Sequence, residues 1–277
     1  MDRDRINEIR KSLKWNFLKT TILRLDITNI ADSNVVVASN LLKNFLQQNG
    51  FNRCVEKTNN DVEVNLPTQG YEFKTELKDK YKVLCYTNDE KGISLELSKK
   101  AILIVVNSSS YVPFESITNI YLQVANVFKS AEPYIVFKRI GIRKINILLV
   151  NNLDYVKELI NPSTVFFSNI DSNSTPLISS LTDQVVSGDK KITKTRKLEN
   201  GKIGEAEWFR CSLDFDVSAD EQVLKDHPEI ALAREKIYEM NAIIFECYIS
   251  SLSNSFISEL IKDDYSNDRI IGVEPNE

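Results

Sequence analysis

A single histidine, His227, occurs in the whole chain. That scarcity removes multi-histidine metal sites and leaves one side chain for histidine acid–base chemistry. His227 stands in Asp226-His227-Pro228-Glu229, which suits a helix entry with proline at the first helical position, and we read it as structural. The four cysteines, Cys54, Cys85, Cys211 and Cys247, are scattered without a CxxC pair; Cys85 and Cys211 lie in strand-like runs and Cys247 in a helical one, which suits buried thiols. No P-loop, GxGxxG, nucleophile elbow or zinc-finger spacing is present, which counts against the commonest enzyme classes. No apolar run approaches the roughly 18 residues of a membrane span. The opening MDRDRINEIRKSLKW is charged and has no apolar signal core, so the expected location is cytoplasmic, with no membrane partner.

What is present is ordinary for a globular protein: 277 residues, 42% hydrophobic and 27% charged. The net charge of -4 argues against a general nucleic-acid binder and makes a protein partner the better expectation.

The chain is organised around Tyr134 to Leu149, YIVFKRIGIRKINILL. Its β-branched residues favour an extended chain, and alternation sorts its side chains onto two faces. Ile135, Phe137, Arg139, Gly141, Arg143, Ile145 and Ile147 share one face; Val136, Lys138, Ile140, Ile142, Lys144 and Asn146 share the other. Two guanidiniums, roughly 13 Å apart along a strand, thus flank a residue with no side chain.

Around this stretch the pattern predicts an α+β fold of mainly antiparallel sheets covered by helices. Residues 2–14 suit a short polar helix. Thr20 to Thr28 alternates as a strand, with Ile22, Arg24, Asp26 and Thr28 on one face. A helix capped by Asp32 or Ser33 runs to about Asn49, presenting Val37, Ala38, Leu41, Leu42 and Phe45, and Lys57 to Gly70 reads as a polar loop. KVLCYT, GISLEL and AILIVV make a meander, a serine turn follows at Ser108 to Ser110, and Phe114, Ile117, Tyr121, Val124 and Phe128 form the stripe of a second helix. After the central strand the order repeats: a short helix from Leu153 to Ile160, a polar loop from Asn169 to Pro176, and strands from about Leu181 to Val217 with a hairpin turn at Asn200-Gly201. A long helix from Pro228 to Lys262 carries Ile237, Met240, Ile244, Tyr248, Leu252, Phe256 and Leu260 on one stripe, and Asp263 to Glu277 reads as a frayed tail. The division expected is an N-terminal lobe, 1–130, and a C-terminal lobe, 131–277, packed as one unit and built on one repeated order of strand, helix, strands and helix.

Arg139-Ile140-Gly141-Ile142-Arg143-Lys144-Ile145-Asn146 resembles the RxGxRxxN-like strand of a sporadically distributed family of uncharacterised bacterial and archaeal proteins. TILRLDIT, the helical stretch Tyr111 to Phe128, the strand WFRCSLDFDV and the helix with Asn241, Phe245 and Glu246 resemble that family's other elements in order. The resemblance covers most of the chain and implies a fold; it supplies no catalytic residue.

Three groups of residues carry candidate chemistry. Arg139, Gly141, Arg143 and Asn146 form a ligand-binding candidate, because guanidiniums offer planar forks to anions and the glycine opens the backbone to a ligand. The competing reading is internal pairing with Asp214 and Asp216, which share a face of WFRCSLDFDV with Arg210 and Ser212. Those two aspartates are also the metal candidate, since a pair of carboxylates on one face can hold Mg²⁺. Glu96 helps only if its strand lies beside them, and Glu96-Leu97-Ser98-Lys99 lacks the paired-glutamate-then-lysine motif of triphosphate-tunnel enzymes. Lys190, Lys191, Lys194, Arg196 and Lys197 form a basic patch that suits nucleic acid or an acidic partner, or guards an exposed edge strand. The functional expectation is a non-catalytic binding or interaction component without a cofactor. The alternative is a Mg²⁺-dependent enzyme acting on phosphoesters or nucleotides through an Arg/Asp cleft.

Overall fold

The computed structural model describes residues 3–65, 74–107, 112–161, 178–220 and 230–276. The first half runs α1 (Arg3–Ser12), β1 (Trp15–Asn16), β2 (Leu18–Thr28), α2 (Asp32–Gln48), β3 (Arg53–Asn65), β4 (Lys74–Asn88), β5 (Ile93–Ser98), β6 (Ala101–Asn107) and α3 (Phe114–Ala131). The second runs β7 (Val136–Val150), α4 (Leu153–Leu159), β8 (Ile178–Ser187), β9 (Lys190–Ile203), β10 (Ala206–Asp220), α5 (Ile230–Ser250), α6 (Asn254–Leu260), β11 (Ile270–Ile271) and β12 (Glu274–Pro275). The fold is α+β, with every ladder of the large sheet antiparallel.

The strand order β3-β4-β5-β6-β2-β7-β10-β9-β8 makes one continuous sheet, with β2 and β7 at the junction of the two halves. Read outward from that junction, each half places its first strand, then the last strand of its meander, then the earlier ones. The central stretch is therefore an interior strand, paired along its length with β2 and β10.

Alternation decides which side is covered. Leu23, Leu25, Ile104, Ile140, Ile142, Leu148, Leu213, Phe215 and Val217 are buried and share one core with helix residues such as Tyr121, Val124, Phe128, Ile237 and Met240. Full burial of side chains of this size is worth roughly 1.5–3 kcal/mol each. Their alternates, among them Arg24, Asp26, Arg139, Arg143, Asp214 and Asp216, face away from the helices and stay partly exposed.

Several boundaries differ from the sequence pattern. The polar stretch from Lys57 is strand β3, paired with β4 as far as Asn65. As an edge strand that buries little, it has no apolar alternation to reveal it. The hairpin reverses at Gly204-Glu205 rather than Asn200-Gly201: Ile203 pairs with Ala206, Gly204 has φ 62°, and Gly201 stays extended opposite Trp208. The buried face of α2 is Val35, Ala38, Ser39, Leu42 and Leu46; Val37 and Leu41 are exposed, and Ala31 is the N-cap. The long C-terminal helix is interrupted at 251–253, where Leu252 bridges Ile160 and Ser253 Oγ accepts from the Phe256 amide to start α6. Beyond it the tail is stitched down: β11 pairs with β7, β12 with β1, and the Asn276 amide donates to the Lys14 carbonyl. Cys85, Cys211 and Cys247 are buried, whereas Cys54 on β3 is exposed. Ser108 to Ser110, Asn169 to Pro176 and the His227 segment lie outside the described residues.

Candidate functional site

Pairing of β7 with β10 sets Asp216 opposite Arg143, Ser218 opposite Gly141 and Asp220 opposite Arg139. Each arginine reaches along the sheet rather than straight across it. Arg143 donates from Nε at 2.9 and 3.1 Å and from Nη2 at 2.5 Å to the carboxylate of Asp214, a two-pronged contact. Arg139 extends past Gly141 to Asp216, with Nη2 at 3.2 Å from Oδ2, while its Nη1 lies 3.7 Å from Asp26 on β2. Asp26 in turn accepts from Arg24 Nε at 2.6 Å. Arg24, Asp26, Arg139, Asp216, Arg143 and Asp214 thus form an alternating row of charges across three strands. Arg24 and Asp26 were legible as neighbours on one face of their strand, yet nothing in the sequence showed which strand would lie beside it.

At Gly141 the protein itself takes up the space that a side chain would fill. A Cβ on Gly141 would stand 3.3 Å from Arg139 Nη2 and 3.3 Å from Ser218 Cβ. The open backbone at Gly141 is filled by the guanidinium on its way to Asp216, so the space serves the ion-pair row.

The row borders a recess of about 460 Å³ on the uncovered face, lined by Arg139, Arg143, Asp214, Asp216, Lys191, Asp220, Ser218, Thr193, Thr195 and Gln184. Hydrogen bonding to Asp214, ahead of the cost of burial, raises the Arg143 pKa, so the guanidinium is a fixed cation. Both candidate metal carboxylates already accept from arginines, and a hard cation would have to displace them. Among the described residues no group of three or more His, Cys, Asp or Glu is placed to hold a metal ion. Glu96 lies on β5, beyond β6 and β2 from β7, where it neighbours Cys85 and Lys57 rather than the aspartates.

The basic patch is divided by its own strand. β9 is an interior strand between β8 and β10, so its residues alternate between a covered and an uncovered face. Lys190 and Arg196 are buried. Lys190 pairs with Asp189 at 2.5 Å and Glu239 at 2.9 Å, and Arg196 with Asp183 at 2.8 Å. Lys194 shares their face and lies near Cys247 of α5, while Lys191 and Lys197 share the recess face with Thr193 and Thr195. The five cations form neither a single ribbon nor an edge guard, because the strand that carries them, β9, lies between β8 and β10.

Asn146 also parts from the arginines. It is buried on the helix side, where its Nδ2 donates to the Leu213 carbonyl at 3.1 Å. Beside it Lys144 lines a second pocket of about 220 Å³ under α1, α3 and α5. The signal for this pocket lay in the sequence as a lysine and an asparagine among Ile140, Ile142 and Leu148.

No family model matches the chain, and no curated protein is similar to it at a significant level. Among solved structures, that of an S. pombe RNA triphosphatase in complex with the Spt5 CTD aligns over 95% of this chain and 93% of that one. Its identity is 8% and its TM-score 0.13, a likeness that carries no argument about fold or activity.

What remains is chemistry in place on the two faces of one strand. The uncovered face offers fixed, mutually compensated charges and hydroxyls. The helix side offers an apolar pocket with cations. No helix of the described residues is long and apolar enough to cross a membrane.

Proposed function

We propose that this chain is a non-catalytic binding component that takes a protein partner on the uncovered face of its sheet, with the recess beside β7 and β10 at the centre of the contact. The observation that supports this reading is charge balance: Arg139, Arg143 and Lys191 stand against Asp214, Asp216 and Asp220 around one recess. A surface for a nucleic acid or a polyphosphate carries an excess of cations. A two-carboxylate metal site keeps its oxygens for the ion, whereas Asp214 and Asp216 are held by arginines. Arginine beside half-buried apolar residues, here Ile22, Val105 and Ile145, matches the composition of protein interfaces. Lys191 and Asp220 are exposed and form no ion pair with a described residue, so they are the charges left to meet a partner. No cofactor enters this reading.

The test compares the native chain with the pair Lys191→Glu/Asp220→Lys, which leaves the arginine row untouched. Capture of a specific protein by the native chain, lost in the variant at an unchanged melting temperature, is the expected result. Mg²⁺-dependent release of phosphate from a nucleoside triphosphate or a phosphodiester, abolished by Asp214→Asn, would overturn the reading in favour of an enzyme.

A further inference from the structure

The helix side of β7 faces two cations, Lys144 and Arg10, that no carboxylate of the described residues meets at ion-pair distance, although the Glu246 charge acts on Arg10 from farther off. Lys144 Nζ rests 4.9 Å from the centroid of the Phe114 ring, and Arg10 Cζ rests 4.4 Å from that of Phe245. Neither forms an ion pair with a described residue, and Glu274, the acid in the pocket wall, is taken by Lys19. Cation–π contact compensates only part of the hydration such groups give up, about 0.5–2 kcal/mol each. Burial, with Arg10's charge adding to it, pushes Lys144 down to about 8.

Two further polar atoms of α5 belong to residues lining the same pocket. Asn241 Oδ1 and the Tyr248 hydroxyl are buried and meet no hydrogen-bond partner, an arrangement that costs roughly 1–3 kcal/mol for each group left unpaired. The two cations and the residues that carry these two atoms line a space whose remaining walls are apolar, among them Leu13, Ile117 and Ile244. Buried polar groups in native proteins are paired in the great majority of cases, so these two call for a physical explanation.

We propose that this pocket binds a small organic carboxylate with an apolar body, its anion held by Lys144 and Arg10. At about 220 Å³ the space lies below the roughly 300–1,000 Å³ of pockets for drug-sized ligands and is too small for a nucleotide. A monoanion suits it better than a phosphate dianion, whose larger loss of hydration the apolar walls would not return. The site is separate from the uncovered face and stands or falls independently of the partner proposed there.

Calorimetric titration of the full chain with hexanoate and with benzoate tests it, with hexanol and benzyl alcohol as bodies of the same shape without the charge. Binding of at least one carboxylate, and of neither alcohol at the same millimolar concentrations, is expected. Lys144→Met and Arg10→Gln should each weaken it about tenfold or more, the loss of one charge-assisted contact, while Lys144→Arg retains part of it. The ¹³C resonance of reductively methylated Lys144 should titrate at higher pH with the carboxylate bound, which a merely structural lysine would not do. Absence of binding by either carboxylate, equal binding of the alcohols, or binding undiminished in both Lys144→Met and Arg10→Gln would overturn the assignment. Arg10 belongs to the last turn of α1 rather than to the sheet, so its variant tests the site without altering a β7 residue.

Discussion

Replacing Arg143 by alanine removes one side of the best-formed pair on the uncovered face, and the two partners are unequal. The Asp214 side chain is 15% exposed and the Arg143 side chain 47%. Stranding one member of a fully buried pair costs roughly 3–5 kcal/mol, whereas exposed pairs contribute roughly 0–1 kcal/mol. Arg143→Ala leaves the more buried group unpaired, with the Asp216 carboxylate on the same face two residues along, so we expect a loss of about 2 kcal/mol. Asp214→Ala leaves a guanidinium that reaches water and Asp216, and should cost about 1 kcal/mol. The double variant should lose less than the sum of the two, with a coupling of about 1–2 kcal/mol. For a chain of this size, about 2 kcal/mol lowers Tm by roughly 4–8 °C. Urea unfolding of the four proteins at low and high salt measures each quantity, and salt should shrink the coupling only in part because one partner is sheltered. Strictly additive losses, or Arg143→Ala melting with the native chain, would refute the reasoning.

Gly141→Ala should cost about 1–2 kcal/mol by driving Arg139 off Asp216, and should cost much less in an Arg139→Ala background, as paired unfolding curves will show. Lys144 has a folded-state pKa of about 8 against 10.5 when unfolded, so the unfolded chain holds the extra proton between those values and stability rises with pH across that window. Arg10, Glu274 and Tyr248 are the ionisable groups facing it; Lys144→Met should raise the melting temperature at pH 7 and flatten the rise between about 8 and 10.5. Asp189 is held at about 2 by hydrogen bonds from Lys190 and Lys236, so its contribution is present above 3.8 and lost as pH falls through about 2. Asp189→Asn should flatten that acid limb in melts taken across the same range.

Which parts of this were legible in the sequence follows from what alternation can carry. Leu25, Phe215 and Val217 declared the covered face because each is apolar between polar neighbours, and the stripe Ile117, Tyr121, Val124, Phe128 did the same for α3. The pattern also put Arg139 and Arg143 on one face of their strand, and Asp214 and Asp216 on one face of theirs. Their meeting depended on β7 lying beside β10, a fact of sheet order that no local pattern contains. β3 was illegible because residues such as Glu56, Lys57 and Thr58 are exposed whichever way they point. On α2 the exposed Val37 and Leu41 rotated the apparent face, and the true one includes Ser39, whose hydroxyl bonds to that of Tyr86. The pocket under the helices was legible only as an anomaly, Lys144 and Asn146 in an apolar row. Its meaning required Arg10, Asn241 and Tyr248 from elements far away in sequence.

The two faces of β7 also explain how the junction strand finds its place. A slip by one residue would exchange the faces of its side chains, sending Arg139 and Arg143 under the helices and Ile140 and Ile142 into the recess. Unpaired guanidiniums in the core would cost several kcal/mol each, while the loss of two buried isoleucines would add roughly 3–6 kcal/mol. A slip by two keeps the faces, and apolar alternation alone cannot forbid it. The ion-pair row can: Arg143 would move off Asp214, and Gly141 would no longer stand under the path of Arg139 to Asp216. Apolar alternation thus selects the face and the charged row selects the register. Both conditions fall on the strand that joins the two halves of the sheet, where an error would displace every strand beyond it.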